Sequence, residues 1–366
     1  MKLAVVVGTR PEIVKMAPVI RAAGARHLDL RVLHTGQHYS FELDRVFFDE
    51  LELPAPDANL NVGSASAPAQ VAAIVSGVGE WIARERPDWL LVEGDTNSVL
   101  GAALAAHKSG VRLGHVEAGL RSFDRTMPEE TNRILTDHMA DLLFAPTAHA
   151  SRQLASEGVE AARVRVTGNT VVDELLRQRE RAMALGAAGK HGLAPGGYLL
   201  ATVHRAENTD VPERLAGIMA GLGRAARALA KPVLCALHPR TRARLESLRI
   251  AFPEGVRALP PLPYLEFLGL QADAALVLTD SGGLQEEACV LGVPCVTMRD
   301  NTERPESIEV RANRLAGASA DRIERAAVEM AEASRAWVQP FGDGHAAERI
   351  VEALGGLTDH ARACAP

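Results

Sequence analysis

The sequence predicts an α/β protein built from two doubly wound domains, each with a parallel sheet covered by helices. Short apolar runs alternate with helical segments along the 366 residues, which is typical of parallel sheets buried on both faces. A chain of this length is too long for one ordinary core. The pattern also restarts midway, because strands predicted at 3–7 and 198–203 are each followed by Arg-x-Glu, at Arg10–Glu12 and Arg205–Glu207.

Composition argues against several classes of partner. The formal net charge is -6 and aromatic residues make up 4%, whereas nucleic-acid binding favours basic faces or stacking platforms. No run approaches the ~20 apolar residues of a membrane span, and the five apolar residues after Lys2 are too few for a signal sequence. We therefore expect a cytoplasmic protein that binds neither nucleic acid nor membrane.

Neither metal nor disulfide spacing is found among the four cysteines, which are Cys235, Cys289, Cys295 and Cys364. Three of them lie in apolar runs, which predicts reduced core residues. The chain also lacks the GxxxxGK[ST], HExxH and GxSxG motifs, and GxGxxG does not follow the first strand. We therefore expect no metal and no redox cofactor.

Six apolar runs of the first half predict buried strands. They lie at 3–7, 30–38, 89–92, 111–116, 142–145 and 164–167. Helices are predicted between them, from Pro11, over 41–51, 71–85 and 99–107, and from Pro128. The stretch 54–68 reads as a loop.

Charged residues follow several of these strands. Arg10, Asp95 and Glu117 stand where parallel strands deliver residues to the carboxyl edge of a sheet, the edge at which α/β folds bind ligands. Lys15 lies about one turn into the first helix. A surface pair of Arg10 with Glu12 remains the alternative. Gln37 and His38 also end a strand, where capping and packing of the loop are the simpler interpretation.

A third acidic group, Glu129 and Glu130, begins the helix at Pro128. One carboxylate at a helix start is usually a cap. Several carboxylates converging on one sheet edge raise one another's pKa, which makes acid/base chemistry feasible at neutral pH.

The second half begins near residue 170, and the Gly/Ala-rich stretch 184–197 predicts a flexible connection. Further strands are predicted at 198–203, 232–237, 256–259, 274–278 and 294–298. The turn Thr279–Glu287 carries two glycines between a strand and a helix, so a ligand can approach the backbone, and the helix N-terminus suits a phosphate. A plain turn capped by Ser281 is the alternative. A last helix is predicted from His345.

Seven motifs in order carry a resemblance to a known family. They are Gly8–Glu12, Gly94–Thr96, His115–Arg121, Pro128–Arg133, His204–Asn208, Thr279–Glu287 and Thr302–Glu306. Together they closely resemble the non-hydrolysing UDP-N-acetylglucosamine 2-epimerases, from Leu3 to about Leu354.

The resemblance implies two Rossmann-like domains enclosing a cleft, as in the B-type (GT-B) glycosyltransferases. The first domain would span 1–170, with the C-terminal helix 345–366 packing back on it, and the UDP-binding domain would span 171–344. It also implies a homodimer and a UDP-sugar substrate. Such an enzyme would serve cell-surface polysaccharide synthesis, although the sequence leaves the pathway open.

The implied reaction is the reversible conversion of UDP-N-acetylglucosamine to UDP-N-acetylmannosamine. A base removes the C2 proton while UDP leaves C1, and UDP adds back after C2 is reprotonated on its other face. Two faces need two proton-handling groups, and the departing diphosphate needs cations or a proton.

By resemblance, the acid/base carboxylates are Asp95, Glu117 and Glu129, with Glu130 as an alternative to Glu129. His204 would act on the leaving diphosphate. The residues implied to bind UDP are Arg10, Lys15, Phe267, Ser281, Gly282, Gly283, Glu287 and Arg304. Among these, Glu287 would accept ribose hydroxyls and Phe267 would contact uracil.

Some features depart from the family or leave alternatives. The stretches 41–45 and 64–71 lack the polar pattern with which bacterial members bind an activating UDP-sugar, which argues against such activation. The alternatives are a GT-B glycosyltransferase, a hydrolysing epimerase, an epimerase of a UDP-2,3-diacetamido uronic acid, and a binding protein without catalysis. The presence of Asp95, Glu117 and His204 argues against the last.

Overall fold

In the computed structural model, residues 1–37 and 41–363 are described, and for 41–44 and 356–363 only the backbone is described. The chain divides into two compact units. Unit 1 comprises Met1–Leu176 and Phe341–Pro366, and unit 2 comprises Arg177–Pro340. Each unit contains one parallel sheet with helices, so the α/β fold class is confirmed. The predicted boundaries at 170 and 344, and the assignment of a role to each domain, stay predictions.

Unit 1 contains a seven-stranded parallel sheet in the order β3-β2-β1-β4-β5-β6-β7. Its strands are β1 Lys2–Val7, β2 Asp29–His34, β3 Ala58–Asn59, β4 Trp89–Glu93, β5 Arg112–Val116, β6 Leu142–Ala145 and β7 Val164–Val166. Strands β1, β4 and β6 are buried almost throughout, as their unbroken apolar runs predict. Strand β3 was not predicted, because its two residues leave no apolar run to recognise.

The helices of unit 1 begin close to their predicted starts, except for α6, which was not predicted. They are α1 Arg10–Ala25, α2 Phe41–Glu50, α3 Ala67–Glu85, α4 Asn97–Lys108, α5 Pro128–Met139, α6 Ala148–Ser156 and α16 Ala346–Ala363. A further helix, α7 Thr170–Ala184, contains the point at which the chain passes from unit 1 to unit 2. Helix α16 packs against α1, with Ile350 and Leu354 fully buried.

Unit 2 repeats the architecture with six parallel strands in the order β10-β9-β8-β11-β12-β13. They are β8 Leu199–Val203, β9 Val233–Leu237, β10 Val256–Leu259, β11 Leu276–Thr279, β12 Cys295–Thr297 and β13 Asn313–Leu315. The helices are α8 Ala187–Lys190, α9 Ala206–Thr209, α10 Pro212–Ala228, α11 Pro239–Ser247, α12 Tyr264–Ala272, α13 Gly282–Leu291, α14 Pro305–Glu309 and α15 Ala320–Glu332.

The prediction of a flexible connection over 184–197 was wrong. That stretch contains the short helix α8, whose Ala187 and Ala188 are buried in an apolar cluster with Tyr198 and Leu270. The small side chains that suggested flexibility allow close packing here, since Ala187 Cβ lies 3.5 Å from where a side chain on Gly269 would begin.

Strand order reverses once in each sheet, between β1 and β4 in unit 1 and between β8 and β11 in unit 2. Open α/β sheets bind ligands outside the carboxyl ends of the strands at such a switch point. The residues after these four strands therefore define the candidate site in each unit.

Cys235, Cys289 and Cys295 are free and buried, as predicted, whereas Cys364 lies outside the described residues. Burial raises the pKa of the Cys235 and Cys289 thiols to about 12. Across residues 1–37 and 41–363, no helix has the length and apolarity needed to cross a membrane.

Candidate active site

In unit 1, acidic residues gather where β1, β4 and β5 end. Glu93 is the last residue of β4, and it pairs in register with Val116, the last residue of β5, so that Glu117 follows at the same edge. Both glutamates approach the ammonium of Lys15 on α1, whose Nζ lies 2.9 Å from Glu93 Oε1 and 2.5 Å from Glu117 Oε2. Asn169 Nδ2 also donates to Glu117 Oε2, at 3.1 Å.

Glu12 adds another buried carboxylate on the first turn of α1. Its Oε2 accepts the backbone N–H groups of Gly8 and Thr9, at 2.5 and 3.1 Å, and its Oε1 accepts the Thr96 hydroxyl at 2.5 Å. Burial raises the pKa of Glu12 to about 7, although these hydrogen bonds oppose that rise. The alternative of a surface pair between Arg10 and Glu12 is not what the structure shows, since Glu12 is 2% exposed.

Burial likewise raises the pKa of Glu93 well above its ordinary value. The positive charge of Lys15 opposes that rise, while the negative charges of Glu117 and Glu12 add to it. This corner of unit 1 is therefore a site at which a carboxyl group can retain a proton near neutral pH.

Asp95, which follows β4, is held by two residues of α5. Arg133 on α5 donates to its Oδ2 through Nε at 2.9 Å, with Nη2 at 2.6 Å, and Asn132 Nδ2 donates to its backbone carbonyl. The same guanidinium contacts Glu130 at 2.6 Å through Nη1. Asp95 is thus fixed by a buried arginine that two carboxylates share.

The structure separates the neighbours Glu129 and Glu130. Glu130 is 2% exposed and accepts the N–H and hydroxyl of Ser122 and the N–H of Phe123, so it anchors the loop after Glu117. Glu129 lies half-buried on the first turn of α5. These contacts give Glu130 a structural role in the loop, while the catalytic role of Glu129 stays a prediction.

The backbone of this loop is strained. Glu117 and Phe123 have φ values of 67° and 59°, in the left-handed region that side chains other than glycine rarely adopt. Such strain persists where surrounding contacts fix it, and it concentrates at functional sites. Lys15 and Asn169 hold the Glu117 side chain, and Glu130 holds the backbone of Phe123.

Buried ion pairs among His115, Arg121 and Asp137 support this loop. His115 Nδ1 lies 2.7 Å from Asp137 Oδ1, and its Nε2 lies 2.8 Å from the carbonyl of Gly94. Arg121 Nη1 is 2.7 Å from Asp137 Oδ2. Burial alone would raise the pKa of Asp137, but His115 and Arg121 outweigh it and hold that pKa below its usual range.

In unit 2, the switch point brings together His204 after β8 and Asp280 after β11. His204 Nδ1 lies 2.8 Å from Asp280 Oδ1, and the backbone N–H groups of His204 and Arg205 also donate to this carboxylate. Asp280 is fully buried, yet His204 and these donors outweigh burial and lower its pKa. The ionised carboxylate keeps the proton of His204 on Nδ1, and Nε2 belongs to a ring that is 42% exposed.

The glycine turn that follows Asp280 is open on one side. Ser281 caps α13 by accepting the N–H of Leu284 at 3.5 Å. A side chain on Gly282 would begin 3.3 Å from Glu303 Oε2, whereas nothing lies within 4 Å of the corresponding point on Gly283. A ligand can therefore reach the backbone at Gly283, and the cap by Ser281 does not prevent it.

Ion pairs fix the charged residues around this turn. Arg304 Nε lies 2.8 Å from the buried Glu286, while the next residue, Glu287, is half-buried. The guanidinium of Arg299 is fully buried and contacts Glu303 at 2.8 Å and Glu207 at 3.0 Å.

Two other residues predicted to contact UDP pack against apolar side chains. The guanidinium of Arg10 stacks 5.2 Å above the ring centre of Phe47. Phe267 is half-buried against the apolar cluster around Tyr198. The contacts predicted for Arg10, Lys15, Phe267, Glu287 and Arg304 with UDP stay predictions.

Sequence reasoning missed several residues of these networks, among them Glu12, Glu93, Asp280 and Arg299. Glu93 and Asp280 stand at the ends of apolar runs, as Glu117 does, and that position was an available signal. The interpretation of Gln37 as a packing residue agrees with its contacts, since its side-chain oxygen accepts the N–H and hydroxyl of Ser98. His38 lies outside the described residues, as do the side chains of 41–44, part of the stretch that lacks the activator-binding pattern.

Comparison with known proteins decides the family. A family model described as UDP-N-acetylglucosamine 2-epimerase matches residues 21–355. The chain belongs to this family. A UDP-N-acetylglucosamine 2-epimerase of Methanocaldococcus jannaschii is 45% identical over 97% of this chain and 99% of the relative. A crystal structure of the UDP-GlcNAc 2-epimerase of that organism, in complex with UDP-GlcNAc and UDP, matches with a TM-score of 0.92 and covers 97% of this chain and 99% of that one.

Two further similarities bear on substrate and fold. A UDP-2,3-diacetamido-2,3-dideoxy-D-glucuronate 2-epimerase of Pseudomonas aeruginosa is 41% identical over 98% of this epimerase-family chain and 100% of the relative. A lipopolysaccharide outer core galactosyltransferase, WaaB, is 14% identical and matches with a TM-score of 0.52 over 97% of this chain and 99% of that one. The latter likeness concerns the fold alone and agrees with the predicted glycosyltransferase-like architecture.

Proposed function

We propose that this protein interconverts UDP-N-acetylglucosamine and UDP-N-acetylmannosamine, without net release of UDP. The observation that carries the proposal is the buried pair of Glu93 and Glu117 on either side of Lys15, with the buried Glu12 acting on Glu93 through its charge, in a chain of the epimerase family. Such a cluster suits proton transfer at a carbon atom, because it contains carboxyl groups whose pKa lies nearer neutrality than usual.

The C2–H bond of the sugar is not activated by a carbonyl group, so the proposed route is elimination. One carboxylate removes the C2 proton while the bond between C1 and the UDP oxygen breaks, which leaves a 2-acetamidoglucal and UDP. A proton is then delivered to the other face of C2, and UDP adds back to C1. Asp95, Glu117 and Glu129 are the proposed proton-handling groups.

Most of the groups proposed to bind the nucleotide belong to unit 2. The free N–H groups at the start of α13 and the open backbone at Gly283 suit a phosphate, with Ser281 and Gly282 completing the turn. Arg10 and Arg304 are the proposed cationic contacts of the diphosphate, and Lys15 stays a candidate. Glu287 and Phe267 are proposed to bind ribose and uracil.

His204 is the proposed acid for the leaving diphosphate. Asp280 holds its Nδ1, as the orienting carboxylate does in catalytic histidine pairs, so that Nε2 can carry a proton to a phosphate oxygen. Asp280 is then a positioning residue that acts through His204.

A second sugar is a specific alternative, because the Pseudomonas relative is named for a UDP-2,3-diacetamido uronic acid. We also propose a homodimer that acts in the cytoplasm. A dimer predicts a solution mass of twice the 39.0 kDa of the chain. Light scattering on the purified protein measures this directly, and a mass of one chain at working concentration would contradict it.

The function is tested by product analysis. Incubation with UDP-N-acetylglucosamine is expected to give UDP-N-acetylmannosamine at equilibrium, with no accumulation of UDP, as followed by proton and phosphorus NMR. Stoichiometric UDP would indicate a hydrolysing enzyme instead. Conversion of the 2,3-diacetamido uronate in place of UDP-N-acetylglucosamine would assign the second sugar.

A further inference from the structure

Glu93 has no role in the elimination described above, yet it is ion-paired with Lys15 in the proposed proton-transfer site. Its side chain is 2% exposed, and its Oε1 lies 2.9 Å from Lys15 Nζ. The same nitrogen lies 2.5 Å from Glu117 Oε2 on its other side. Lys15 therefore bridges a carboxylate that is proposed to handle the C2 proton and one buried behind it.

The charged groups that face Glu93 come from two elements. Lys15 and Glu12 lie on α1, and Glu117 follows β5. Glu12 in turn accepts a hydrogen bond from the hydroxyl of Thr96, the residue after Asp95. The negative charge of Asp95 also raises the pKa of Glu12. A row of charged groups thus runs from Glu117 through Lys15 to Glu93, and the negative charge of Glu12 acts on Glu93.

Epimerisation creates a need that such a row can meet. When one group removes a proton from one face of C2 and another delivers a proton to the other face, the first ends the reaction protonated and the second deprotonated. The enzyme must exchange these states before it can convert the next molecule in the same direction. Burial slows exchange with solvent, so a built-in acceptor for the proton is an advantage.

We propose that Glu93 is the proton store that returns Glu117 to its starting state through Lys15. After Glu117 has taken the C2 proton, Lys15 gives one N–H proton to the Glu93 carboxylate and takes the proton of the Glu117 acid. Glu117 becomes a carboxylate, Glu93 becomes a neutral acid, and Lys15 stays an ammonium, so the charge and the protons balance. Glu93 then releases this proton to solvent, from which the group on the other face of C2 regains its own.

This inference rests on the proposed epimerisation and goes beyond it in one measurable way. Net conversion requires the return step in every turnover. Exchange of label between the two UDP-sugars at chemical equilibrium does not require the return step. The protonation state in which one sugar leaves the enzyme is the state that binds the other sugar. A defect confined to the return step therefore slows net conversion more than exchange.

The test uses Glu93→Gln in the full-length protein, since glutamine keeps the size of the side chain and cannot accept a proton. We expect kcat for net conversion of UDP-N-acetylglucosamine to fall at least about tenfold with little change in KM. Exchange of carbon label between saturating UDP-sugars at equilibrium should fall no more than about twofold, because binding and elimination do not use Glu93. Glu85→Gln, which replaces a partly exposed glutamate paired with Lys2, is the matched control and should leave both rates unchanged.

If Glu93→Gln fails to fold, as judged by its melting curve, Glu93→Asp provides the same test. Its shorter side chain keeps the acid but withdraws it from Lys15. Equal slowing of net conversion and exchange would show a structural role for Glu93 and overturn the proton store, as would unchanged kcat. These results leave the proposed function intact, whereas absence of conversion by the unaltered protein overturns the proposed function itself.

Discussion

The two units place charged residues at the same point of the same fold but balance the charges differently. In unit 1, Glu93 and Glu117 both contact Lys15, and the pKa values of Glu93 and of the buried Glu12 are raised. In unit 2, Asp280 faces His204 and backbone N–H donors, and its pKa is lowered. Arg299 and Arg304 likewise pair with the glutamates around the glycine turn.

The raised pKa values in unit 1 and the lowered pKa in unit 2 suit different roles. A carboxyl group with a raised pKa can exchange a proton near neutral pH, which suits reaction at C2 of a sugar. Paired carboxylates instead fix cations, a histidine and a turn, which suits binding of a nucleotide diphosphate. The sheets place both sets at switch points, but the side chains decide what each point does.

The largest expected effect comes from removing a proton-handling group of unit 1. Asp95→Asn and Glu117→Gln should each lower kcat by about 10²–10⁴-fold, because an amide of similar size cannot take up or deliver the proton. Calorimetry should show that UDP still binds with near-normal affinity, since its proposed contacts are made elsewhere. Unchanged turnover in either variant removes that residue from the mechanism.

A smaller effect is expected from the positioning carboxylate of unit 2. Asp280→Asn should lower kcat by about 10–100-fold, because His204 loses the partner that fixes its proton on Nδ1. The pH dependence of kcat should also change on its acidic side, which a purely structural defect would not produce. Asp321→Asn, at an exposed ion pair of unit 2, is the control and should behave as the unaltered protein.

The smallest effect concerns stability, and its sign differs between the units. Glu12 has a folded-state pKa raised from 4.5 to about 7, so its contribution to stability is present at low pH and is lost as pH rises through about 7. Relative to Glu12→Gln, the free energy of unfolding of the unaltered protein should therefore fall by about 1 kcal/mol between about pH 6 and about pH 7.5.

Asp280 provides the opposite case for this comparison. Its pKa is lowered, so its contribution is present above the unfolded pKa and is lost as pH falls through the folded value. Denaturant titrations at several pH values give the free energy of unfolding of each variant. For Glu12→Gln and Asp280→Asn, its difference from the unaltered protein should therefore change with pH in opposite directions. Curves that stay parallel for Glu12→Gln would contradict a raised pKa in unit 1.

Much of the fold was accessible from sequence because buried parallel strands leave unbroken apolar runs. Strands β1, β4 and β8 were located in this way, as were the turns after them. Strand β3 and helix α8 were not, since one has two residues and the other consists of small residues that owe their order to packing.

The site was predictable to the extent that strand ends identify it. Glu117 and Asp95 stood out because a carboxylate after an apolar run has few structural reasons to be there. Glu93 was overlooked as the last residue of its strand, and Asp280 as part of a glycine turn. Their importance arises from partners distant in sequence, Lys15 for Glu93 and His204 for Asp280, which only the folded chain brings together.

The central claim is that unit 1 exchanges the proton at C2 while UDP is retained. The most direct measurement is the incubation of the protein with UDP-N-acetylglucosamine in D₂O, followed by mass spectrometry and NMR of the UDP-sugars. We expect UDP-N-acetylmannosamine to carry deuterium at C2, with no net UDP. Conversion without deuterium at C2 would contradict proton exchange. No deuterium uptake with any UDP-N-acetylhexosamine would contradict the proposed epimerase activity.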